Sequence, residues 1–124
     1  MSSIVERVEK PWGYELIWAR TDRYVGKILH LNAGCRLSLQ YHRVKEESLL
    51  VQTGRVLITL ENDDGELVER ELGPGEVVHV APGRRHRFRA VTDCDLIEVS
   101  TTELDDVVRL SDDYGRVPEG TSHD

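Results

Sequence analysis

The sequence predicts an all-β fold, an antiparallel sandwich or barrel, on three observations. Short runs rich in β-branched and aromatic residues alternate apolar with polar positions, as half-buried strands do; they include YVGKILHLN, RLSLQYH, ESLLVQ, RVLITLE, ELVEREL, EVVHV, HRFRAV and DLIEVS. Turn chemistry separates them, at Thr21-Asp22, Asn32-Ala33-Gly34, Thr53-Gly54, Asn62-Asp63-Asp64-Gly65, Gly73-Pro74-Gly75, Pro82-Gly83 and Thr92-Asp93. These turns recur about every ten residues, the rhythm of a sandwich or barrel.

Each element has its own warrant. Met1 to Glu9 mixes Ile4, Val5 and Val8 with charges, and fits either an edge strand or an arm crossing to a second subunit. Pro11, Trp12 and Gly13 form a rigid turn, because proline fixes its own φ and glycine permits a positive one. Leu16, Ile17 and Trp18 then open a strand, and Trp12, Trp18, Tyr14 and Tyr24 are assigned to barrel packing. Asn62-Asp63-Asp64-Gly65 is the clearest hairpin, joining Val56–Leu60 to Leu67–Arg70. Pro82-Gly83 turns the chain into a strand that begins at His86 and carries Phe88 and Ala90 on the same face. From Glu103 to Leu110 the period changes, and Leu104, Val107, Val108 and Leu110 predict a short C-terminal helical turn. Residues 117–124 are polar, with Pro118 and Gly120, and are expected to fray.

Length and charge narrow the function. A chain of 124 residues makes one domain, 1–124, with one core. The formal net charge of −7 excludes general nucleic-acid and anionic-membrane binding, which need a positive field. Cys35 and Cys94 show no disulfide or CxxC spacing and are read as free thiols. The N-terminal residues lack the apolar core of a signal peptide, and no apolar run reaches membrane-span length, so a cytoplasmic location is expected.

The most informative stretch is Gly34 to Gly54, GCRLSLQYHRVKEESLLVQTG. On an extended strand Ser38, Gln40 and His42 share one face. Glu47 has the wrong parity to continue that row, so Arg43 to Glu46 must form a bend, and the returning strand brings the Glu47 carboxylate near His42. His86 is the partner from a distant segment. Gln40, His42, Glu47 and His86 make a divalent-metal set; their donors suit zinc, iron, manganese, cobalt or nickel, and the glutamine oxygen favours harder ions. Arg84 and Arg85 beside His86, with Arg43 and Lys45 beside Glu47, place four cations near one opening, and arginine's forked donors suit a phosphate. His30 shares parity with Tyr24, Gly26 and Ile28 and is a candidate for the same cavity; Lys27, of opposite parity, is left outside it.

The pattern Gly34-x5-Gln40-x-His42-x4-Glu47-x6-Gly54, followed by Gly75 … Pro82-x3-His86, resembles the two motifs of the cupins. Lys10-Pro-Trp-Gly-Tyr-Glu15, Leu37-Ser-Leu-Gln40 and Asp105-Asp-Val-Val-Arg-Leu-Ser-Asp-Asp-Tyr-Gly-Arg116 extend the resemblance, to the C-terminal domain of type II mannose-6-phosphate isomerases. It runs from about Glu9 to Arg116, which sets the core of the domain. The resemblance implies a double-stranded β-helix, the cupin jelly-roll barrel, and a homodimer. It also implies an aldose–ketose isomerase acting on a phosphorylated sugar, with zinc or manganese held by Gln40, His42, Glu47 and His86. Arg84 or Arg85 would take the anion, with Lys45 and His30 as further substrate-binding candidates; the proton carrier is open among Glu98, Glu46 and His30. The chain departs from the family at Arg43-Val44, where a histidine run is usual, and at Arg87-Phe88-Arg89-Ala90, where an acidic residue and an asparagine are usual. The nucleotidyltransferase domain that usually precedes this module does not appear in the sequence, which implies a stand-alone relative. Two other classes stay open: a non-catalytic metal-binding cupin that senses a sugar or small acid, and a cupin oxygenase.

Overall fold

A computed structural model of the chain describes residues 5–117, and among them the secondary structure is entirely β. In chain order the strands are β1 (Glu6–Lys10), β2 (Gly13–Arg20), β3 (Val25–Leu31), β4 (Leu39–Tyr41), β5 (Glu47–Thr53), β6 (Val56–Glu61), β7 (Leu67–Leu72), β8 (Val77–Val80), β9 (His86–Ala90), β10 (Cys94–Ser100) and β11 (Val108–Ser111). They form a six-stranded sheet, β1-β2-β3-β10-β5-β8, and a five-stranded sheet, β11-β4-β9-β6-β7. Every pairing is antiparallel. This is the jelly-roll barrel of the cupins, as the motif spacing implied.

Alternation decides which side of each strand is buried. On β9, His86, Phe88 and Ala90 are buried while Arg87 and Arg89 turn away; on β5, Glu47, Leu49 and Val51 point inward while Leu50 faces out. Leu29, Leu31, Leu49, Val51, Ile58, Leu72, Val80, Phe88 and Leu96 fill the space between the sheets. Burying each such side chain contributes about 1.5–3 kcal/mol. Buried beside this apolar cluster are the polar side chains of Lys27, Ser38, His42, Lys45, Glu47, His86 and Glu98.

The turns hold as their residue types demand. In the β6–β7 hairpin Asn62 Oδ1 accepts N–H bonds from Asp64 and Glu66, and the strands pair in continuous register from Val56↔Leu72 to Glu61↔Leu67. Gly54 sits at φ 82° between β5 and β6, where an added Cβ would meet Asp93 O at 2.2 Å. A left-handed conformation pressed against backbone leaves room for glycine alone.

Of the N-terminal segment, Glu6–Lys10 pairs with β2 of its own chain as the edge strand β1, and residues 1–4 lie outside the described residues. The helical turn expected over Glu103–Leu110 is replaced by a turn at Leu104-Asp105 followed by β11. The β4 edge supplies the reason: it offers unpaired backbone groups, and β11 takes them with Val108 opposite Tyr41 and Arg109 opposite Gln40. Of the four aromatic residues assigned to packing, Trp12 enters the core. Trp18 is 48% exposed, because a bulge between Ile17 and Ala19 throws it outward onto Gly26, and Tyr24 is also exposed. The frayed tail expected over 117–124 lies, past Val117, outside the described residues. Among the described residues no helix is long and apolar enough to cross a membrane.

Candidate metal centre

His42 follows β4, Glu47 begins β5 and His86 begins β9, so three strand ends from two sheets converge. One donor atom from each lies within 4.8 Å of the others, and all three residues are buried. Glu47 Oε1 stands 3.6 Å from His42 Nε2 and 3.3 Å from His86 Nε2. The imidazoles are tilted against one another with centroids 5.0 Å apart.

The backbone fixes both tautomers. His42 Nδ1 donates to the carbonyl of Asp106 at 2.5 Å, and His86 Nδ1 donates to the carbonyl of Arg84 at 2.9 Å. A carbonyl can only accept, so the proton sits on Nδ1 and the Nε2 lone pair is free in each ring. Both Nε2 atoms are buried with no hydrogen-bond partner. Buried polar atoms ordinarily find partners. Two lone pairs left open beside one carboxylate fit a divalent cation, and backbone bonds to the far nitrogens are how ligating histidines are oriented.

The carboxylate is prepared as well. Burial alone would raise the Glu47 carboxyl, but its charged surroundings, with the Lys45 ammonium 3.2 Å away, outweigh it and hold the group well below the usual carboxylate range. Lys45 lies 3.2 Å from Glu47 Oε2 and 3.4 Å from Glu98 Oε2, and all three are buried. Burial opposes the Lys45 charge, yet Glu98 and Glu47 raise its pKa overall. Glu98 is pushed up to about 7, first by burial and then by the charge of Glu47.

Gln40 stands opposite His86 in the β4–β9 register, and its Oε1 accepts a hydrogen bond from Ser38 Oγ at 2.9 Å, leaving a second lone pair. Gln40 and His42 line a cavity of about 270 Å³, together with Lys45, Lys27, Arg109 and Arg116. Of the three donors His42 reaches the cavity wall, with Gln40 beside it, while Glu47 and His86 lie buried next to His42.

The other residues proposed from sequence are placed differently. Arg84 donates to Asn62 O and pairs with Asp63; Arg85 pairs with Glu61 and donates to Gly65 O, so both are tied to the β6–β7 turn and neither lines the cavity. His30 faces the opposite side of its sheet from the cavity, bonded to Asp95 at 2.7 Å and stacked on Tyr14 at 4.8 Å. Leu29 and Leu31 take the inward positions of β3, which corrects the expectation for His30 and turns Lys27 inward instead. Lys27 is 6% exposed and paired with Glu15 at 3.2 Å. Of the proposed proton carriers, Glu46 is exposed and bonded to His79, whereas Glu98 reaches the interior behind Lys45.

Three residues that line the cavity or contact its ligands escape sequence reasoning. Lys27 is legible in retrospect, since the apolar pair Leu29 and Leu31 sets the inward phase of β3. Asp106 and Arg109 lie where a helical turn is expected; the pairing of β11 with β4 sets Arg109 opposite Gln40, and the stretch just before β11 brings the Asp106 carbonyl to His42.

Comparison with known proteins bears on family and fold. The mannose-1-phosphate guanylyltransferase of Escherichia coli is 38% identical over 116 residues, covering 89% of this chain and 23% of that protein. The alginate biosynthesis protein AlgA of Pseudomonas aeruginosa is 29% identical over 115 residues, covering 90% and 23%. The chain thus spans less than a quarter of the length of these relatives. Among solved structures, oxalate decarboxylase from Bacillus subtilis superposes with a TM-score of 0.77 at 15% identity, over 92% of this chain and 32% of that one. KdgF from Halomonas sp. superposes at 0.71 with 19% identity, over 81% and 90%. At such identities the structural likeness establishes the fold alone. The family described as Mannose-6-phosphate isomerase C-terminal matches residues 2–112, nearly the whole described chain, and with its cupin barrel this protein belongs to that family.

Proposed function

We propose that the chain holds a divalent metal ion through His42, Glu47 and His86, with Gln40 as fourth ligand, and isomerises a phosphorylated sugar between its aldose and ketose forms. One observation carries the reading: two buried, partnerless Nε2 atoms aimed at one ionised carboxylate. Family membership and the mannose-phosphate chemistry in the relatives' names support the substrate class. Zinc or manganese suits this mix of imidazole and oxygen donors, which iron, nickel and cobalt also accept. Such an ion polarises carbonyl and hydroxyl oxygens and lowers the cost of negative charge beside a carbonyl.

The protein's own part is to position and to exclude water. The reaction removes a proton from the carbon next to the carbonyl, passes through a cis-enediol and returns a proton to the neighbouring carbon. Lys45, fixed between Glu47 and Glu98, presents a cation at the cavity wall. The free thiols Cys35 and Cys94 suit the reducing cytoplasm. A homodimer belongs to the same reading. Leu16, Ile28, Ile97, Leu50 and Val77 stand in register across the outer face of the six-stranded sheet, an apolar row that a two-fold mate can cover.

Elemental analysis of the purified protein, followed by an assay of mannose 6-phosphate conversion, tests the proposal. His42→Ala and His86→Ala each remove bound metal and turnover while the β-sheet spectrum persists, because the sheet pairing does not depend on the ligands. Unchanged metal stoichiometry in both variants would defeat the assignment.

A further inference from the structure

Arg109 belongs to the row of the five-stranded sheet that carries the metal donors. β11 sets Arg109 opposite Gln40, and β4 sets Gln40 opposite His86. Residues directly opposite one another project to the same face with Cβ atoms about 4.5–5.5 Å apart. Arg109 therefore stands beside Gln40 on the cavity wall, two strand spacings, roughly 10 Å, from the His86 strand.

Arg109 forms no ion pair among the described residues. Among the other cations lining the cavity, Lys27 pairs with Glu15, Lys45 with Glu47 and Glu98, Arg116 with Asp112 and Arg20 with Glu6. Lys10 also forms no ion pair among the described residues, but it sits at the end of the edge strand, half-buried and within reach of water. Arg109 Nε is buried without any hydrogen-bond partner. Burial first, and then the nearby charge of Arg116, depress the Arg109 pKa, with Asp112 offsetting them in part. A guanidinium stays protonated regardless. The fold thus leaves one guanidinium nitrogen of Arg109 buried without a partner, which costs stability because that N–H loses its hydration and makes no hydrogen bond in return.

We propose that Arg109 is the anion-binding residue of this cavity and takes the phosphate of the ligand. The inference rests on the proposed function for the rest of that ligand, and adds its orientation. An open-chain sugar lies along the row, with its carbonyl end at the histidines and its far end carrying phosphate to the arginine. The forked guanidinium binds two phosphate oxygens at once, which a lysine amine cannot reproduce. A monosaccharide phosphate and the pyrophosphate of a nucleotide sugar offer the same chemistry, and the test separates them.

Isothermal titration of the metal-loaded full chain uses inorganic phosphate, a hexose 6-phosphate, the unphosphorylated hexose and a nucleoside diphosphate hexose. The wild type binds inorganic phosphate and one of the two phosphorylated sugars, and whichever binds names the source. Arg109→Gln weakens that ligand about tenfold to a hundredfold, with little change for the bare hexose. Arg109→Lys recovers part of the loss. Without ligand, the melting temperature of Arg109→Gln equals or exceeds that of the wild type, because a buried N–H without a partner has been removed. Wild-type affinity in Arg109→Gln, equal losses for phosphorylated and bare hexose, a loss confined to Arg84→Gln or Arg85→Gln, a lower melting temperature, or no phosphate binding by the wild type would each overturn the proposal. Phosphate binding that depends on Arg109 in a protein that turns over no sugar phosphate would sustain the anion site and remove the isomerase.

Discussion

Asp106 holds His42 and the bend that follows it from two directions. Its carbonyl takes the His42 Nδ1 proton at 2.5 Å, while its carboxylate accepts N–H bonds from Arg43 at 3.1 Å, Val44 at 2.7 Å and Lys45 at 2.9 Å. The bend between the two motif ligands is therefore tied to a residue more than sixty positions away. Releasing it lets His42 and Glu47 move relative to one another, although neither side chain is altered.

Asp106→Ala accordingly weakens metal binding by about tenfold to a hundredfold, the usual cost of losing a group that orients a ligand. Competition with a chelator of known affinity measures it, and circular dichroism shows the sheets intact. Metal affinity equal to the wild type would sink the claim.

Acid acts through the same carboxylate. Its three backbone bonds, first those from Lys45 and Val44, hold the Asp106 carboxyl at about 2, below its ordinary 3.8. The native pKa is the lower one, so the unfolded chain binds more protons in between, and stability falls as pH drops. Asp106 contributes fully above about pH 4, and the contribution is gone below about pH 2. Urea melts across that window show a steeper loss for the wild type than for Asp106→Asn; parallel curves contradict it.

Gly54→Ala destabilises the barrel by about 1–3 kcal/mol for its left-handed backbone, and by more for the overlap with Asp93 O and Cys94 Cβ. The urea midpoint falls while the m-value stays the same. An unchanged midpoint would show that the turn between β5 and β6 can take another form.

Leu50 lies in the apolar row on the outer face of the six-stranded sheet, on the opposite side of β5 from Glu47. On the proposed homodimer, Leu50→Arg places a charge in that row and halves the mass found by sedimentation equilibrium, with metal content unchanged. A wild-type protein that sediments as a monomer at all concentrations rules out this dimer.

The sequence by itself determined the all-β class, the turns, and the approach of Glu47 to His42, while His86 joined them only through the two-motif resemblance. The first three are consequences of alternation and of a bend that parity forces between two ligands. It carried the β6–β7 hairpin for the same reason, since Asn62 and Gly65 act within a few residues of themselves. Tertiary structure decided what depends on which strand lies beside which. Val107 and Val108 suit a helix face or a strand equally, until the free edge of β4 takes β11 and brings Asp106 to His42 and Arg109 to Gln40. His30 and Lys27 exchanged roles because the phase of β3 is set by how much core Leu29 and Leu31 bury, a sum over both sheets. Arg84 and Arg85 left the cavity because Glu61 and Asp63, across the neighbouring turn, offered nearer carboxylates. Local rules place a residue on a face, and long-range pairing decides what that face meets.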